Sequence, residues 1–390
     1  MSDKFIPYGR QDIGDADIEA VVAVLRSDFL TQGPAVPEFE KRVMAWCGSH
    51  FAVACNSATS ALHIACAALG LGPGDRAWTV PNTFVASANC ARYCGAEVDF
   101  VDVEPGTWNI SIAALTSKLE RADREGTLPK VVIPVDFAGQ ACDLLGIRAL
   151  ADRFGFKVLE DASHAIGATY RGKPVGSGSY ADITVFSFHP VKIITTAEGG
   201  MAVTNDPLLA ARMARLRTHG ITREPSEMEA PSHGPWYYEM VELGWNYRMT
   251  DVQAALGSSQ MARLGEFVSR RRGLADRYDQ LLANSALTLP RRDPAGQSSW
   301  HLYVVGWNQQ QSGRSRRAAF EALRAAGIGV NVHYIPVHLQ PYYRRLGFSA
   351  GRFPVAEAYY DSAITLPLFP GLSRPMQDRV VEVLLELSLR

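Results

Sequence analysis

The chain has 390 residues, more than one hydrophobic core usually holds, so a large domain of about two hundred residues with a smaller companion is expected. The 39 Lys and Arg residues against 40 Asp and Glu leave a formal net charge of -1, which gives no global field for nucleic acid or an anionic membrane. No run approaches the roughly twenty apolar residues of a membrane span, and the opening MSDKFIPYGRQ lacks the apolar core of a signal peptide, so a cytoplasmic location is expected.

From about residue 50 to 205 short apolar runs alternate with helical patterns. FAVAC is followed by SALHIACAALGLG, RAWTV by NTFVASANCARYCG, then come EVDFVDV, KVVIPVDF, DLLGIRALADRFG, FKVLED and ITVFSF. Strand, helix and strand in repetition predict an α/β fold with a mostly parallel sheet between helices, and ligands of such sheets gather at the carboxyl ends of the strands. In ACNSATSALHIA a strand ends and Ser57, Thr59 and Ser60 precede a helix, an arrangement that suits a phosphate but serves equally as an N-cap. Phe84, just past the next strand, can stack on a flat ring or pack in the core. The six cysteines, Cys47, Cys55, Cys66, Cys90, Cys94 and Cys142, match neither a zinc site nor a disulfide framework and read as small core residues.

FKVLEDASHAIG ends a buried strand in Glu160 and Asp161, so one of the two side chains faces the carboxyl edge, where Asp161 is either a helix cap or a ligand of something charged. Lys192 follows the next strand and can reach the same edge. A carboxylate and a lysine beside one ring are what pyridoxal phosphate requires: the amine forms a Schiff base, and the acid keeps the pyridine nitrogen protonated. His164 and His189 lie on the same two segments. The nine histidines form no HExxH or similar cluster, which excludes an obvious metal site; no GxGxxG or GxxxxGK[ST] loop follows a strand, which weakens dinucleotide and nucleoside-triphosphate binding.

THGITREPSEMEAPSHGPWYYEM is polar and turn-rich and predicts a surface loop. In GWNYRMTDVQAAL, Arg248 can meet a carboxylate or phosphate, or pair with a surface acid. TDVQAALGSSQMARLGEFVSRRRGLADRYDQLLAN predicts one long capped helix, which sets the domain boundary near residue 250, with residues 1–250 and 251–390 on either side. SSWHLYVVGW and GIGVNVHYIPVH suggest a small separate sheet, with His333 and His338 as ordinary strand or loop residues.

Five ordered segments, SATSALH, PNTFVAS, EDASHAIG, SFHPVKIITTAEGG and GWNYRMTDVQAAL, together resemble the sugar-nucleotide aminotransferases of the DegT/StrS group. These are pyridoxal-phosphate enzymes of the aspartate aminotransferase fold (fold type I), with a seven-stranded-type sheet in the large domain and a smaller C-terminal α/β domain. IPYGRQDI, SDFLTQGPAVPEFE and VHYIPVHLQPYYRRLGF look most like the transaminases of pseudaminic acid biosynthesis, which make UDP-4-amino-4,6-dideoxy-N-acetyl-β-L-altrosamine.

The resemblance implies that Lys192 anchors the cofactor, Asp161 pairs with its pyridine nitrogen, Phe84 stacks on the ring and His164 lies by the phenolic oxygen. Many relatives carry glutamine where this chain has His164. Ser187, Ala58 and Thr59 would hold the phosphate with Asn246 of the partner subunit, in a homodimer with shared sites. Tyr8, Asp28, Phe29, Leu30, Thr31, His189, Arg248, His333 and Tyr334 fall on segments of the substrate pocket. The implied reaction is ping-pong transfer from L-glutamate to C4 of a UDP-linked 4-keto-6-deoxy sugar by way of pyridoxamine phosphate. Its rivals are another 4-keto sugar nucleotide, of the GDP-perosamine or UDP-4-amino-arabinose type, and an inert sensor on the same fold.

Overall fold

A seven-stranded sheet forms from these apolar runs in the computed structural model, which describes residues 5–388; the first four residues of MSDKFIPYGRQ lie outside the described residues. Its strands are β1 (Phe51–Cys55), β2 (Arg76–Thr79), β3 (Glu97–Phe100), β4 (Val131–Val132) and β5 (Lys157–Asp161). After a small hairpin of β6 (Thr169–Tyr170) and β7 (Lys173–Pro174) come β8 (Ile183–Ser187) and β9 (Gly200–Thr204). The spatial order is β1, β9, β8, β5, β4, β2, β3. Neighbours from β8 through to β3 are parallel, and β9 runs antiparallel between β8 and β1. The sheet is therefore mostly parallel, as the strand and helix alternation predicts.

Period-two alternation divides the strands between two cores. Ala54, Val132, Val158, Phe186, Met201 and Val203 face one; Val53, Val131, Leu159, Val185 and Ala202 face the other. Both faces are covered by helices: α1 (Asp15–Leu25), α2 (Ala35–Cys47), α3 (Ala58–Ala68), α4 (Ala86–Tyr93), α5 (Ile112–Glu125), α6 (Leu144–Phe154) and α7 (Pro207–Leu216). Local chemistry sets where several begin. Ser57, Ser111, Asp143 and Asp206 each accept a first-turn amide, and Pro207 occupies the first turn of α7. All six cysteines are free, and five are buried.

The expected single long helix is two helices, α8 (Asp251–Ala262) and α9 (Leu264–Leu282), separated at Arg263 (φ -105°, ψ 4°). Thr250 and Gln253 form the capping box of α8. Gly257 is required there because a Cβ would come within 2.6 Å of the Phe39 ring on α2. The hydrophobic cores consequently do not divide at residue 250. Ala254, Met261, Leu264, Phe267 and Val268 belong to the first large core, whereas Leu274, Ala275, Tyr278 and Leu282 further along α9 belong to a third. That third core also takes in Ile6 from the start of the chain, and Val337, Tyr343, Phe348 and Phe353 return to the first.

The expected small sheet is a two-stranded antiparallel ladder of Tyr303–Gly306 with Ala363–Leu366. GIGVNVHYIPVH contributes only an isolated bridge, Asn331 with Thr365. Arg271 ties α9 to this region. It is wholly buried, and its Nη1 donates to the carbonyls of Trp300 (3.2 Å), His301 (3.3 Å) and Leu368 (2.9 Å).

Phe39 is fully enclosed and meets Phe188 edge to face at 5.0 Å, so α2 and α8 clamp the segment that leaves β8. Phe39→Ala is expected to lower the unfolding free energy by about 3–5 kcal/mol. Urea unfolding checks this, and a loss below about 1 kcal/mol would show that the clamp is not a packing element.

Candidate active site

Asp161 ends β5 on the sheet face shared with Leu159, toward α3 and α4, and Glu160 points to the opposite face. The alternation thus decides which of the two acids meets the site. Asp161 is buried; its Oδ2 accepts from Ser87 Oγ (2.6 Å) on α4 and its Oδ1 from the Ser163 amide (3.1 Å). Val185 lies beside Asp161 in register, and Ser187, two residues on, ends β8 on the same face.

Ser187 pairs with Gly200. A Cβ at Gly200 would lie 2.4 Å from both the N and Cα of Ala58, so only glycine lets the start of α3 approach the strand edge. Ala58, Thr59 and Ser187 are brought together in this way. Ser57 Oγ accepts from the Ser60 amide (3.1 Å), and Ser60 Oγ donates to Asn56 Oδ1 (2.7 Å), which holds that helix end in place.

Lys192 sits on the turn after β8, its backbone N–H donating to His189 O (2.9 Å). The side chain is half-buried, and among the described residues its amine makes no hydrogen bond or ion pair. Burial pushes the ammonium down from 10.5 to about 8, against the opposing pull of Asp161. The adjacent parallel strands β5 and β8 bring their exits, and with them Asp161 and Lys192, to one edge of the sheet. Burial lowers three neighbouring imidazoles as well, with the Lys192 charge adding to the effect: His164 and His301 fall well below their ordinary 6.5, and His333 falls to about 3. All three are neutral near pH 7.

The hydrogen bonds fix which nitrogen of His164 carries its proton. Nδ1 accepts from the Ala138 amide (3.3 Å), so Nε2–H donates to Tyr334 Oη (3.1 Å). Tyr334 is raised above its ordinary value, chiefly by burial, and keeps its own proton. Its ring lies 6.2 Å from that of Phe84, which is 58% exposed and free to cover a ligand. Asn331 Nδ2 meets His333 Nε2 at 3.4 Å and leaves Nδ1–H for Thr365 Oγ1 (2.8 Å). Tyr8 packs against His333 at 5.4 Å.

Lys192, Asp161, His164, Phe84, Tyr334, His333 and Tyr8 thus form one cluster, beside the Ala58, Thr59 and Ser187 edge. The other expected residues flank this cluster: His189 through its carbonyl to the Lys192 amide, and Asn246 and Arg248 through contacts at the strand end before α3. His189 is exposed. Asp28, Phe29, Leu30 and Thr31 are exposed too, in a loop held to the start of α8 by Asp251 N to Leu30 O (3.0 Å) and a Thr31 bridge to Thr250. Arg248 bridges Cys55 through its backbone, and the exposed Asn246 offers its carbonyl to Asn56 Nδ2 (3.5 Å).

Ser87, Asn331 and His301 were missed by sequence reasoning. Ser87 and Asn331 stand inside segments already singled out, one helical turn past Thr83 and two residues before His333. Nothing in SSWHLYVVGW marks His301, whose ring packs 4.4 Å from that of His164.

The DegT/DnrJ/EryC1/StrS aminotransferase family matches residues 11–385. The chain belongs to this family. The spore coat polysaccharide biosynthesis protein SpsC of Bacillus subtilis (strain 168) is 40% identical over 381 residues, covering 97% of this chain and 96% of that protein. The Helicobacter pylori aminotransferase PseC, involved in the biosynthesis of pseudoaminic acid, superposes with a TM-score of 0.90 at 30% identity, over 99% of each chain. The PLP form of the sugar aminotransferase Spr1654 from Streptococcus pneumoniae gives 0.86 at 32% identity, over 98% of each.

The chain is accordingly a pyridoxal-phosphate-dependent sugar aminotransferase of fold type I. Its own residues fit that cofactor. They offer an amine with no other partner among the described residues, a carboxylate held by two donors, and a helix start pressed against a serine-ended strand.

The lowered Lys192 has a consequence for the cofactor-free protein. Between about 8 and 10.5 the unfolded chain binds more protons than the folded one, so the penalty of the buried ammonium is complete below pH 8 and fades as pH rises to 10.5. Cofactor-free Lys192→Met is therefore expected to melt above the wild type at pH 7 and to lose this advantage by about pH 10. A pH-independent difference in Tm would show that the amine is not desolvated.

Proposed function

We propose that the chain transfers the amino group of L-glutamate to C4 of a UDP-linked 4-keto-6-deoxy-N-acetylhexosamine, in two half-reactions of a ping-pong cycle in the cytoplasm. The observation that carries the reaction type is the unpaired, half-buried Lys192 amine beside Asp161. The likeness to PseC over 99% of both chains supports the choice of sugar.

When bound, pyridoxal phosphate supplies an aldehyde to carry the amino group and an electron-withdrawing ring to acidify the adjacent C–H bond. Lys192 Nζ would be the residue that holds it covalently, and its amine would be free for proton transfer while the substrate is bound. A value near 8 leaves roughly one Lys192 in ten neutral at pH 7, against about one in three thousand at the ordinary value. The freed amine can then take the Cα proton of glutamate and deliver it one carbon away; in the second half-reaction it moves a proton in the opposite sense.

Asp161, fixed by Ser87 and Ser163, would pair with the ring nitrogen. Phe84 would cover the ring. His164, neutral and with its proton on Nε2, would lie by the phenolic oxygen without adding a second cation beside Lys192. Ala58, Thr59 and Ser187 hold the phosphate with Asn246 of the partner subunit in a homodimer. Tyr8, His333 and Tyr334 face the sugar, and the loop of residues 28–31 with His189 and Arg248 completes the nucleotide pocket.

A second reading keeps this chemistry and changes the nucleotide sugar. It is favoured by one observation: the identity to SpsC, at 40%, exceeds the 30% to PseC. Mass spectrometry of products from matched UDP-linked and GDP-linked 4-keto-6-deoxy sugars with glutamate separates the two. A gain of the amino group on the UDP sugar is expected, and amination of the GDP sugar alone would select the second reading.

Lys192→Ala and Lys192→Arg are expected to cut turnover by at least roughly 10⁴-fold with the fold retained. Steady-state amination by Lys192→Arg within tenfold of the wild type, on the order of 1.4 kcal/mol in barrier, would remove the lysine from the mechanism.

A further inference from the structure

Two buried acids lie behind the site with no part in the steps above. Asp136 is fully enclosed and Glu160 is 2% exposed. Among the described residues neither acid makes an ion pair; the charged and titratable groups that face them are each other, Asp161 at the end of β5, the thiols of Cys142 and Cys47, and Tyr170, Lys173 and Tyr180, which line a small cavity with Glu160. Burial raises both thiols, so they keep their protons.

Each acid has one oxygen satisfied by a donor. Asp136 Oδ1 accepts from the Cys142 amide (2.9 Å), and Glu160 Oε2 accepts from Thr184 Oγ1 (2.6 Å) on β8. The remaining oxygens, Asp136 Oδ2 and Glu160 Oε1, are buried and receive nothing else. The parallel bridge of Val135 with Asp161 puts Asp136 one residue after it and Glu160 one residue before it on adjacent strands, so the two side chains leave on the same face as diagonal neighbours, and each acts on the other. Two carboxylates accept and cannot donate, so this contact is attractive only with a proton between them.

We infer that Asp136 and Glu160 share one proton, given by Asp136 Oδ2 to Glu160 Oε1, and that this pair is the positioning unit for Asp161 and His164. The backbone shows how. Asp136 N donates to Asp161 O (3.1 Å), and Asp161 N donates to Pro134 O (2.9 Å), which stitches the two strand ends together. The Asp136 side chain closes the turn of residues 137–142 through the Cys142 amide. Within that turn Ala138 stands at φ 59°, a region an alanine occupies only when held there. From that position its N–H reaches His164 Nδ1 and sets the tautomer described above.

Sharing one proton also halves the buried charge. A pair carrying a single negative charge avoids desolvating two buried carboxylates. Burial and the neighbouring carboxylate both raise Asp136, which makes it the acid of the pair, while the Thr184 hydroxyl favours the charge on Glu160.

This inference does not depend on which sugar is aminated, and it is read out without turnover. Infrared spectra of the full chain at neutral pH should show an unionised carboxylic C=O band that shifts in D₂O and disappears in Asp136→Asn. Asparagine keeps both contacts, accepting from Cys142 N–H and donating to Glu160, so this variant should unfold within a few degrees of the wild type. Because the folded acid holds its proton above the ordinary carboxylate range, wild-type stability should fall relative to Asp136→Asn as pH rises above that range. Absence of the band from the wild type, or its persistence in Asp136→Asn, overturns the shared proton.

The positioning role is read from ¹⁵N-histidine spectra, with the His164 signals assigned by their loss in His164→Gln. Wild type and Asp136→Asn should show the Nε2–H tautomer, and Asp136→Ala a mixture. A wild-type His164 pattern in folded Asp136→Ala overturns the role. Should Asp136→Ala not fold, a His164 pattern in Asp136→Asn unlike the wild type does the same.

Discussion

Everything at the candidate active site turns on an ammonium that water cannot fully solvate and that no neighbouring carboxylate neutralises by direct contact. Lys192 is lowered to about 8 by its surroundings, with Asp161 close enough to limit the fall. A surface lysine would be an inert point charge, and a lysine in direct contact with a carboxylate would be held protonated. Only the intermediate arrangement gives an amine that can carry a covalent load and move a proton near neutral pH.

The sheet makes that arrangement possible. Asp161 and Lys192 come from adjacent parallel strands and their exits, so a shared register brings them to one edge without either having to reach. Gly200 then lets the start of α3 press against the end of β8. Behind the strands, Phe39, Phe188 and Gly257 leave little slack, and close packing of this sort transmits position better than it tolerates change.

The imidazoles carry a separate lesson about charge. Three of them crowd one lysine, and burial keeps all three neutral. Had any been cationic, Lys192 would be driven lower still. The Ala138 amide at His164 and the Asn331 amide at His333 select the neutral tautomers, so the hydrogen-bond network and the desolvation point the same way.

Much of this was legible in residue order. The alternation of apolar runs and helical patterns dictates a mostly parallel sheet, and the sheet rule then sends Asp161, Lys192, Ser187 and Phe84 toward one edge, because short-range periodicity and chain direction are local properties. Other features depend on partners far away in the chain. The break at Arg263 and the assignment of α8 to the large core arise from packing against α1, α2 and Phe39, which no local propensity reports. Ser87 under Asp161, His301 on His164 and the Asp136 contact with Glu160 join residues 74, 137 and 24 positions apart by their numbers. The sequence by itself determined the kind of chemistry, through residue types ordered along a repeating βα pattern; the tertiary structure alone decided the protonation states, since these follow from burial and from hydrogen-bond partners that only folding brings within reach.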